Sequence, residues 1–570
     1  MNALYRKAEQ TFEALNRSLN WVSNSKDPDI NSNQGLIRNL RYSIYKVRNL
    51  REAALSRMCV GVYGASQAGK SYMVSALARE KGKQLIAVMG PHEVDFIKTI
   101  NPPGGQESTG LVTRFTTEPI VTPDGFPIKV RLLSEIDLVK LLFNSYASDI
   151  LPSESDNLSN NQEVVENALL GLDTALKEDK SPVKVEDVFD LEDYVSSNNS
   201  LFMSNVRIQS IKKTRFWSRA ADLLPKVGLD RRLSIYQLLW EGLDIYNSLF
   251  MVLARELERL EHSTELYCEA SALFVSEASG MARATKSIIN VTTLENLGQA
   301  DPSFIKVSTK DAKVHNISVS NLTALISELQ VSIKNRPHDI FNSTDLLDFP
   351  GARSRRGHPK DAKILAEPQI KVENFLRGKV AYLFDKYCTN YELSIMLLCV
   401  GPSNQEVVGL DRLIDDWVER THGAKPDQRS LMPTSLFLVL TKFDKEFAQD
   451  AGREIDGERW STRLQASLIK PFAAHSHRTN WVNNWDNNGA FKNIFWLRNP
   501  HADQSGLIDY AGNPGGSEEL GVCHNKREIV AQLRQSFVVN PDVKRPNINI
   551  SKSRRLWLGS YIPDWEKNRL

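Results

Sequence analysis

The sequence predicts an α/β protein: a doubly wound, mostly parallel sheet with a large helical insertion and flanking helices. Three observations predict it. Short apolar runs such as "TDLLDFPG", "LSIMLLCVG", "SLFLVLTKFD" and "NIFWLRNP" are separated by helical segments, and that alternation marks parallel strands joined by crossover helices. "MCVGVYG" runs into "ASQAGKSYMVSALAREKG", which reads as a strand, a glycine-rich turn and a helix. From Glu135 to about Ala284 the apolar period is helical.

Residues 1–54 place Phe12, Leu15, Leu19 and Val22, then Leu36, Leu40, Ile44, Val47 and Leu50, at helical spacing, which predicts an N-terminal segment of two helices. Residues 55–134 are the first part of the sheet domain, and within them 111–133 alternates about Pro123-Asp124-Gly125, a hairpin pattern. Residues 135–285 form the helical insertion. Its longest helix is expected over Leu233–Leu260, with Trp240, Leu243, Tyr246, Phe250 and Leu253 as core, and its polar stretches "PSESDNLSNNQE" and "KEDKSPVKVED" read as loops. Residues 286–500 return to strands as the second part of the domain, and 501–570 form a helical or loop tail.

The 570 residues, 41% hydrophobic and 25% charged, have ordinary globular composition and length enough for several cores. Lys plus Arg number 71 against 69 for Asp plus Glu, a net charge of +2, so no whole-chain field drives the protein onto nucleic acid or anionic lipid. Cys59, Cys268, Cys388, Cys399 and Cys523 are far apart and mostly in apolar runs, which fits reduced thiols and a cytoplasmic compartment. The start "MNALYRKAEQTFEAL" is charged in its first turns, unlike a secretory signal. The histidines lack metal-ligand spacing.

Gly64-Ala65-Ser66-Gln67-Ala68-Gly69-Lys70-Ser71 matches G-x-x-x-x-G-K-[ST], followed by Tyr72. In that pattern backbone N–H groups curl around phosphates, the lysine reaches the outer phosphates and the serine ligates Mg²⁺. Thr441-Lys442-Phe443-Asp444 closes a strand downstream; a carboxylate there accepts two hydrogen bonds from guanine that adenine cannot offer. Between them Asp348 and Gly351 of "DFPG" are candidates for water-mediated contact to Mg²⁺ and for sensing the terminal phosphate. The bland alternatives are a surface turn, a strand end with solvated charges and a Pro-Gly turn.

In their order, "GASQAGKS", "STGLVTRFTTEPI", "DFPG" and "TKFD" resemble the four leading motifs of dynamin-like large GTPases. The resemblance implies a P-loop GTPase fold. It makes Thr113 of Gly110-Leu111-Val112-Thr113-Arg114 the second Mg²⁺ ligand beside Ser71 and Asp348, and sets Arg498 and Asn499 of "FWLRNP" near the base or ribose. Ser66, Gln67, Lys70 and Thr113 then form the catalytic set. The whole chain is still more similar to the SrfC family of putative bacterial virulence factors, over roughly residues 1–535, with a tail from "NPDVKRPN" onward that departs and is short relative to that family. GTP/GDP and Mg²⁺ are the implied cofactors. The implied partners are proteins encoded alongside, a peripheral membrane contact or a nucleotide-dependent homodimer, with no nucleic acid; secretion as an effector stays open.

Dynamin-like loops carry Gln-Ser where this chain has Ser66-Gln67. Displacing a water-orienting group by about an ångström costs on the order of a hundredfold in rate, so slow hydrolysis is expected. The opposing reading is a nucleotide-binding structural component of a virulence assembly with little or no turnover. Two basic features carry paired readings as well. Arg353, Arg355 and Arg356 read as a solvated loop or an arginine finger, and Lys212, Lys213, Arg215 and Arg219 with Phe216 and Trp217 as an ordinary amphipathic helix or an anionic-surface contact.

Overall fold

The computed structural model describes residues 3–80, 83–101, 109–152, 158–172, 179–197, 202, 205–277, 280–299, 301–402, 407–447, 458–473, 479–487, 489–499, 505–511 and 519–540. Two compact units are built from separate stretches of chain. A helix-rich unit comprises Met1–Met58, Ile86–Lys334 and Arg355–Glu392, and a glycine-loop unit comprises Cys59–Leu85, Asn335–Ser354 and Leu393–Leu570. In chain order the strands are β1 (Met58–Gly64), β2 (Ile86–Met89), β3 (His92–Asp95), β4 (Val112–Thr116), β5 (Ile128–Leu132), β6 (Glu265–Cys268), β7 (Phe274–Glu277) and β8 (Gly280–Arg283). Then come β9 (Phe304–Ser308), β10 (Val314–Ser318), β11 (Ile326–Ile333), β12 (Thr344–Asp348), β13 (Leu393–Val400), β14 (Leu436–Leu440) and β15 (Ile494–Trp496).

In the glycine-loop unit the sheet order is β12-β1-β13-β14-β15, and β1, β13, β14 and β15 pair in parallel. The parallel sheet read from the sequence is found here. Strands covered on both faces read as near-continuous apolar runs, as "LSIMLLCV" and "LFLVL" do. Beyond β14, Phe443 packs 4.9 Å from Trp496 and 5.6 Å from Trp460, ring centre to ring centre. Phe537 of the helix Arg527–Val539 lies 5.3 Å from Trp460, and Trp460 Nε1 donates to Ser536 Oγ at 3.0 Å. Aromatic pairs add about 0.5–1.5 kcal/mol each beyond their buried area, which ties that helix to the Thr441–Asp444 segment.

A second knot in this unit surrounds Arg429, which is 1% exposed. Its five N–H groups all donate to backbone carbonyls: Trp485 (2.6 Å), Gly423 (3.0 Å), Ala424 (2.7 Å), Thr479 (3.0 Å) and Asn484 (2.6 Å). Beside it, His422 ends the helix Leu410–His422 between Trp417 and Trp485. The Ser435 N–H donates to His422 Nε2 at 3.1 Å, so that nitrogen is unprotonated. Burial, with the Arg429 cation nearby, pushes this imidazole down to about 4 from its ordinary 6.5. A depressed histidine contributes stability that is complete above about 6.5, its unfolded value, and is lost as pH falls toward the folded one. Between pH 7 and pH 5, hydrogen exchange over residues 410–430 is expected to show the local opening free energy of wild type falling by on the order of 1 kcal/mol more than that of His422→Gln. Equal losses would contradict it.

In the helix-rich unit the sheet order is β10-β9-β6-β5-β11-β4, with β2 on β11 and β3 on β2. The hairpin expected over 111–133 does not form. Its turn exists, with Phe126 N–H donating to the Pro123 carbonyl at 3.0 Å, but β11 lies between the two arms, parallel to β4 and antiparallel to β5. β11 is buried along nearly its whole length and β4 throughout, whereas β5 is buried only at alternate positions. The Leu233–Leu260 helix is also broken. Helical residues stop at Tyr236, a short 3₁₀ turn covers Gln237–Trp240, and Glu241 and Gly242 take φ of 57° and 69° before Asp244–Arg259 resumes. Of its expected core, Trp240, Tyr246, Phe250 and Leu253 are buried and Leu243 is half-buried.

The helical pattern read through Ala284 ends at Arg259, because β6 joins the sheet and β7 pairs with β8. Conversely, the polar stretch 152–163 is helical from Leu158. The N-terminal helices are Ala3–Ser23 and Gln34–Leu55, with a single turn at Pro28–Asn31. Gln34–Leu55 docks on Val185–Ser196 through Arg38–Glu192 (2.5 Å) and Lys46–Asp193 (2.5 Å). Phe216 and Trp217 are buried while Lys212, Lys213 and Arg215 are exposed, the ordinary amphipathic arrangement. The tail beyond residue 540 lies outside the described residues.

Candidate functional site

The loop between β1 and the helix Lys70–Ala78 turns on two glycines. Gly64 has φ 148°, and a Cβ there would lie 2.2 Å from the Cys399 carbonyl oxygen, an immovable backbone atom of β13. Gly69 takes φ 85° and caps the helix, whose first turn presents backbone N–H groups as an anion site does. Gln67 adopts a left-handed φ of 57° and is exposed. Lys70 is 7% exposed, with Nζ donating to the carbonyls of Ala65 (2.7 Å) and Gly64 (3.2 Å). The ammonium is thus held inside the loop by the loop itself. Ser71, next in the helix, is exposed, and Tyr72 is half-buried.

Three other segments end at the same edge of the sheet, the C-terminal ends of its strands, where open α/β sheets bind ligands. From β12, Ala352 N–H donates to the Gly64 carbonyl at 3.0 Å, leaving Asp348 half-buried and Gly351 buried. Lys70 and Asp348 both lie within electrostatic reach of Cys399: burial pushes that thiol up to about 12, with Lys70 opposing and Asp348 reinforcing the shift. From β14, Thr441 Oγ1 donates to the Ala68 carbonyl at 2.6 Å. Lys442 then adopts φ 56°, with burial lowering its pKa, and Asp444 is 6% exposed with Oδ1 accepting the Asn499 N–H at 3.0 Å. From β15, Arg498 is 6% exposed and its Nη1 donates to the Tyr510 hydroxyl at 3.0 Å.

The model of the family described as putative bacterial virulence factor matches residues 18–557. The chain belongs to that family. No curated protein matches it. In this virulence-factor family member the match runs past residue 535, so the tail read from sequence as departing from the family is part of it through 557.

The structure gathers Gly64 to Tyr72, Asp348, Gly351, Thr441, Lys442, Asp444, Arg498 and Asn499 in the glycine-loop unit. Thr113 belongs to the helix-rich unit, 5% exposed on β4 in register with Leu329. Its neighbour Arg114 donates from Nε to Glu328 at 3.0 Å and from Nη2 to Glu392 at 2.6 Å, with Tyr387 also donating to Glu328. Arg355 is neither a solvated loop residue nor presented outward. Its Nη1 meets the buried Asp149 at 3.3 Å and its Nη2 donates to Asn144. Among the described residues, no group of three or more His, Cys, Asp or Glu is arranged to hold a metal ion, and no helix is long and apolar enough to cross a membrane. Residues outside the motifs whose role is made by backbone contacts, such as Ala352 and Val400, carry no sequence signal.

Proposed function

We propose that this family member is a P-loop, dynamin-like GTP-binding protein that hydrolyses GTP to GDP and phosphate and couples nucleotide state to a membrane or protein partner. The observation that carries the reading is the cradle around Lys70, closed by Thr441 on the Ala68 carbonyl. The β12-β1-β13-β14-β15 order, with the glycine-loop strand between the Asp348 strand and β13, supports it. When bound, Mg²⁺ supplies positive charge that neutralises the outer phosphates. Ser71 and Asp348, both in the glycine-loop unit, have the hard oxygen chemistry to hold it. Lys70 exchanges its carbonyl partners for phosphate oxygens. Asp444, with Oδ1 anchored on Asn499, offers its remaining acceptor capacity to guanine.

The second reading, an assembly component that binds nucleotide without useful turnover, is favoured by the exposed Gln67 standing where dynamin-like loops carry serine. Single-turnover GTP hydrolysis by purified protein separates the two. Slow but magnesium-dependent phosphate release supports the enzyme, whereas tight binding with no release over hours favours the structural role. Asp444→Asn is expected to shift preference from GTP toward xanthosine triphosphate by about tenfold or more, because an amide donates where the carboxylate accepted. Calorimetry showing wild type binding ATP as tightly as GTP would contradict guanine recognition.

A further inference from the structure

Arg463 lies on the short helix Glu458–Leu464, in a stretch with no motif, and is 4% exposed. Its Nη2 donates to two carbonyls at once, Val400 at 2.9 Å and Thr441 at 3.0 Å. Those carbonyls sit at the C-terminal ends of the neighbouring strands β13 and β14, whose chains are already joined by Thr441 N–H to the Val400 carbonyl at 3.0 Å. The helix that delivers Arg463 is fixed in turn: Trp460 is fully buried in the aromatic cluster, and Arg459 Nη1 donates to the Glu446 carbonyl at 2.7 Å.

The carbonyl of Thr441 belongs to the same peptide plane as the N–H of Lys442, so its orientation helps set φ at Lys442. That residue is held at φ 56°, a left-handed conformation that non-glycine residues adopt only under constraint. Relaxing it would swing the following residues, Asp444 among them. Among the described residues, Arg463 Nη1 is buried with no hydrogen-bond partner, and the Glu446 carboxylate acts on this guanidinium only at longer range than an ion pair, less than its burial costs. Burying such a cation is unfavourable for stability alone. Its placement at the joint between glycine loop and base loop accounts for keeping it.

We propose that Arg463 is a positioning residue for base recognition: by gripping the Val400 and Thr441 carbonyls, it locks the left-handed turn at Lys442 and so aims the Asp444 carboxylate. The inference rests on the guanine-nucleotide reading above. It predicts an effect concentrated on the base half of the site, because Arg463 holds the Thr441 carbonyl, whereas the phosphate loop is closed by the Thr441 hydroxyl on Ala68 and by Lys70.

The test compares wild type, Arg463→Gln and Arg463→Lys by calorimetry with GTP, ATP and inorganic tripolyphosphate, the last reporting the phosphate half alone. Arg463→Gln is expected to lose about tenfold in GTP affinity, the scale of one hydrogen bond to a charged group. GTP-over-ATP preference should shrink in step, and tripolyphosphate affinity should stay within about twofold. Arg463→Lys keeps the charge and donors and should recover part of the preference. Unchanged GTP-over-ATP preference in Arg463→Gln overturns the inference alone. Parallel loss of tripolyphosphate binding in both variants also overturns it, by showing a merely structural role. Wild type without preference for GTP over ATP overturns the guanine reading and the inference together.

Discussion

Replacing Lys70 by alanine is expected to reduce GTP and GDP affinity by on the order of a thousandfold, below detection in ordinary calorimetry. Nζ sits 2.7 Å from the Ala65 carbonyl and 3.2 Å from that of Gly64, at the centre of the loop. Each hydrogen bond to a charged group is worth about 1.5–3 kcal/mol, and two such bonds to phosphate oxygens give about 3–6 kcal/mol. The fold should survive, because the two carbonyls released can accept water and the glycine conformations do not depend on the side chain. Far-ultraviolet circular dichroism therefore stays unchanged while binding vanishes. Wild-type-like affinity in Lys70→Ala would end the phosphate-loop reading, whatever the base preference.

Arg429→Ala is expected to be the most destabilising single change in the glycine-loop unit. The guanidinium satisfies five carbonyls from three separate stretches, Gly423–Ala424, Thr479 and Asn484–Trp485, and all five N–H groups are used. Removing it leaves buried acceptors unmet and a cavity beside Trp485, a loss of about 3–5 kcal/mol. A chain of two units does not unfold in one step, so the informative measurement is local. Hydrogen exchange should speed up over residues 423–430 and 479–487 and stay unchanged over 59–78. Arg429→Lys should behave almost as badly, since an ammonium has three donors in a compact head and cannot reproduce the planar fork. Unchanged protection over 479–487 in either variant would show that other contacts hold the loop.

Much of the candidate site was legible because its chemistry is local in sequence. Gly64, Gly69, Lys70 and Ser71 lie within eight residues, and the strand before and helix after are written in a continuous apolar run and a helical period. Asp348, Thr441 and Asp444 were legible for a related reason, each sitting where such a run stops. Arg463 and Arg429 were not. Both act on backbone carbonyls, acceptors that every residue carries, so nothing in the partner sequence marks them. The break at Glu241–Gly242 escaped for another reason: apolar residues on either side keep nearly the same phase, so periodicity reads through a left-handed turn that only the backbone angles reveal.

By itself the sequence determined the β-turn-α unit around Lys70, the apolar strands of the parallel sheet and the absence of a dominating net charge. These follow from glycine's φ freedom, burial on both strand faces and simple counting. Only the tertiary structure decided which strands are neighbours, setting β11 between β4 and β5 where the local pattern pointed to a hairpin. It also decided that Arg355 is spent on Asp149 and that Arg463 grips the end of β14. The physical reason is the same in each case. Pairing partners and buried cations are chosen by competition among residues tens to hundreds of positions apart, and burial and satisfied hydrogen bonds settle that competition only once the chain has folded.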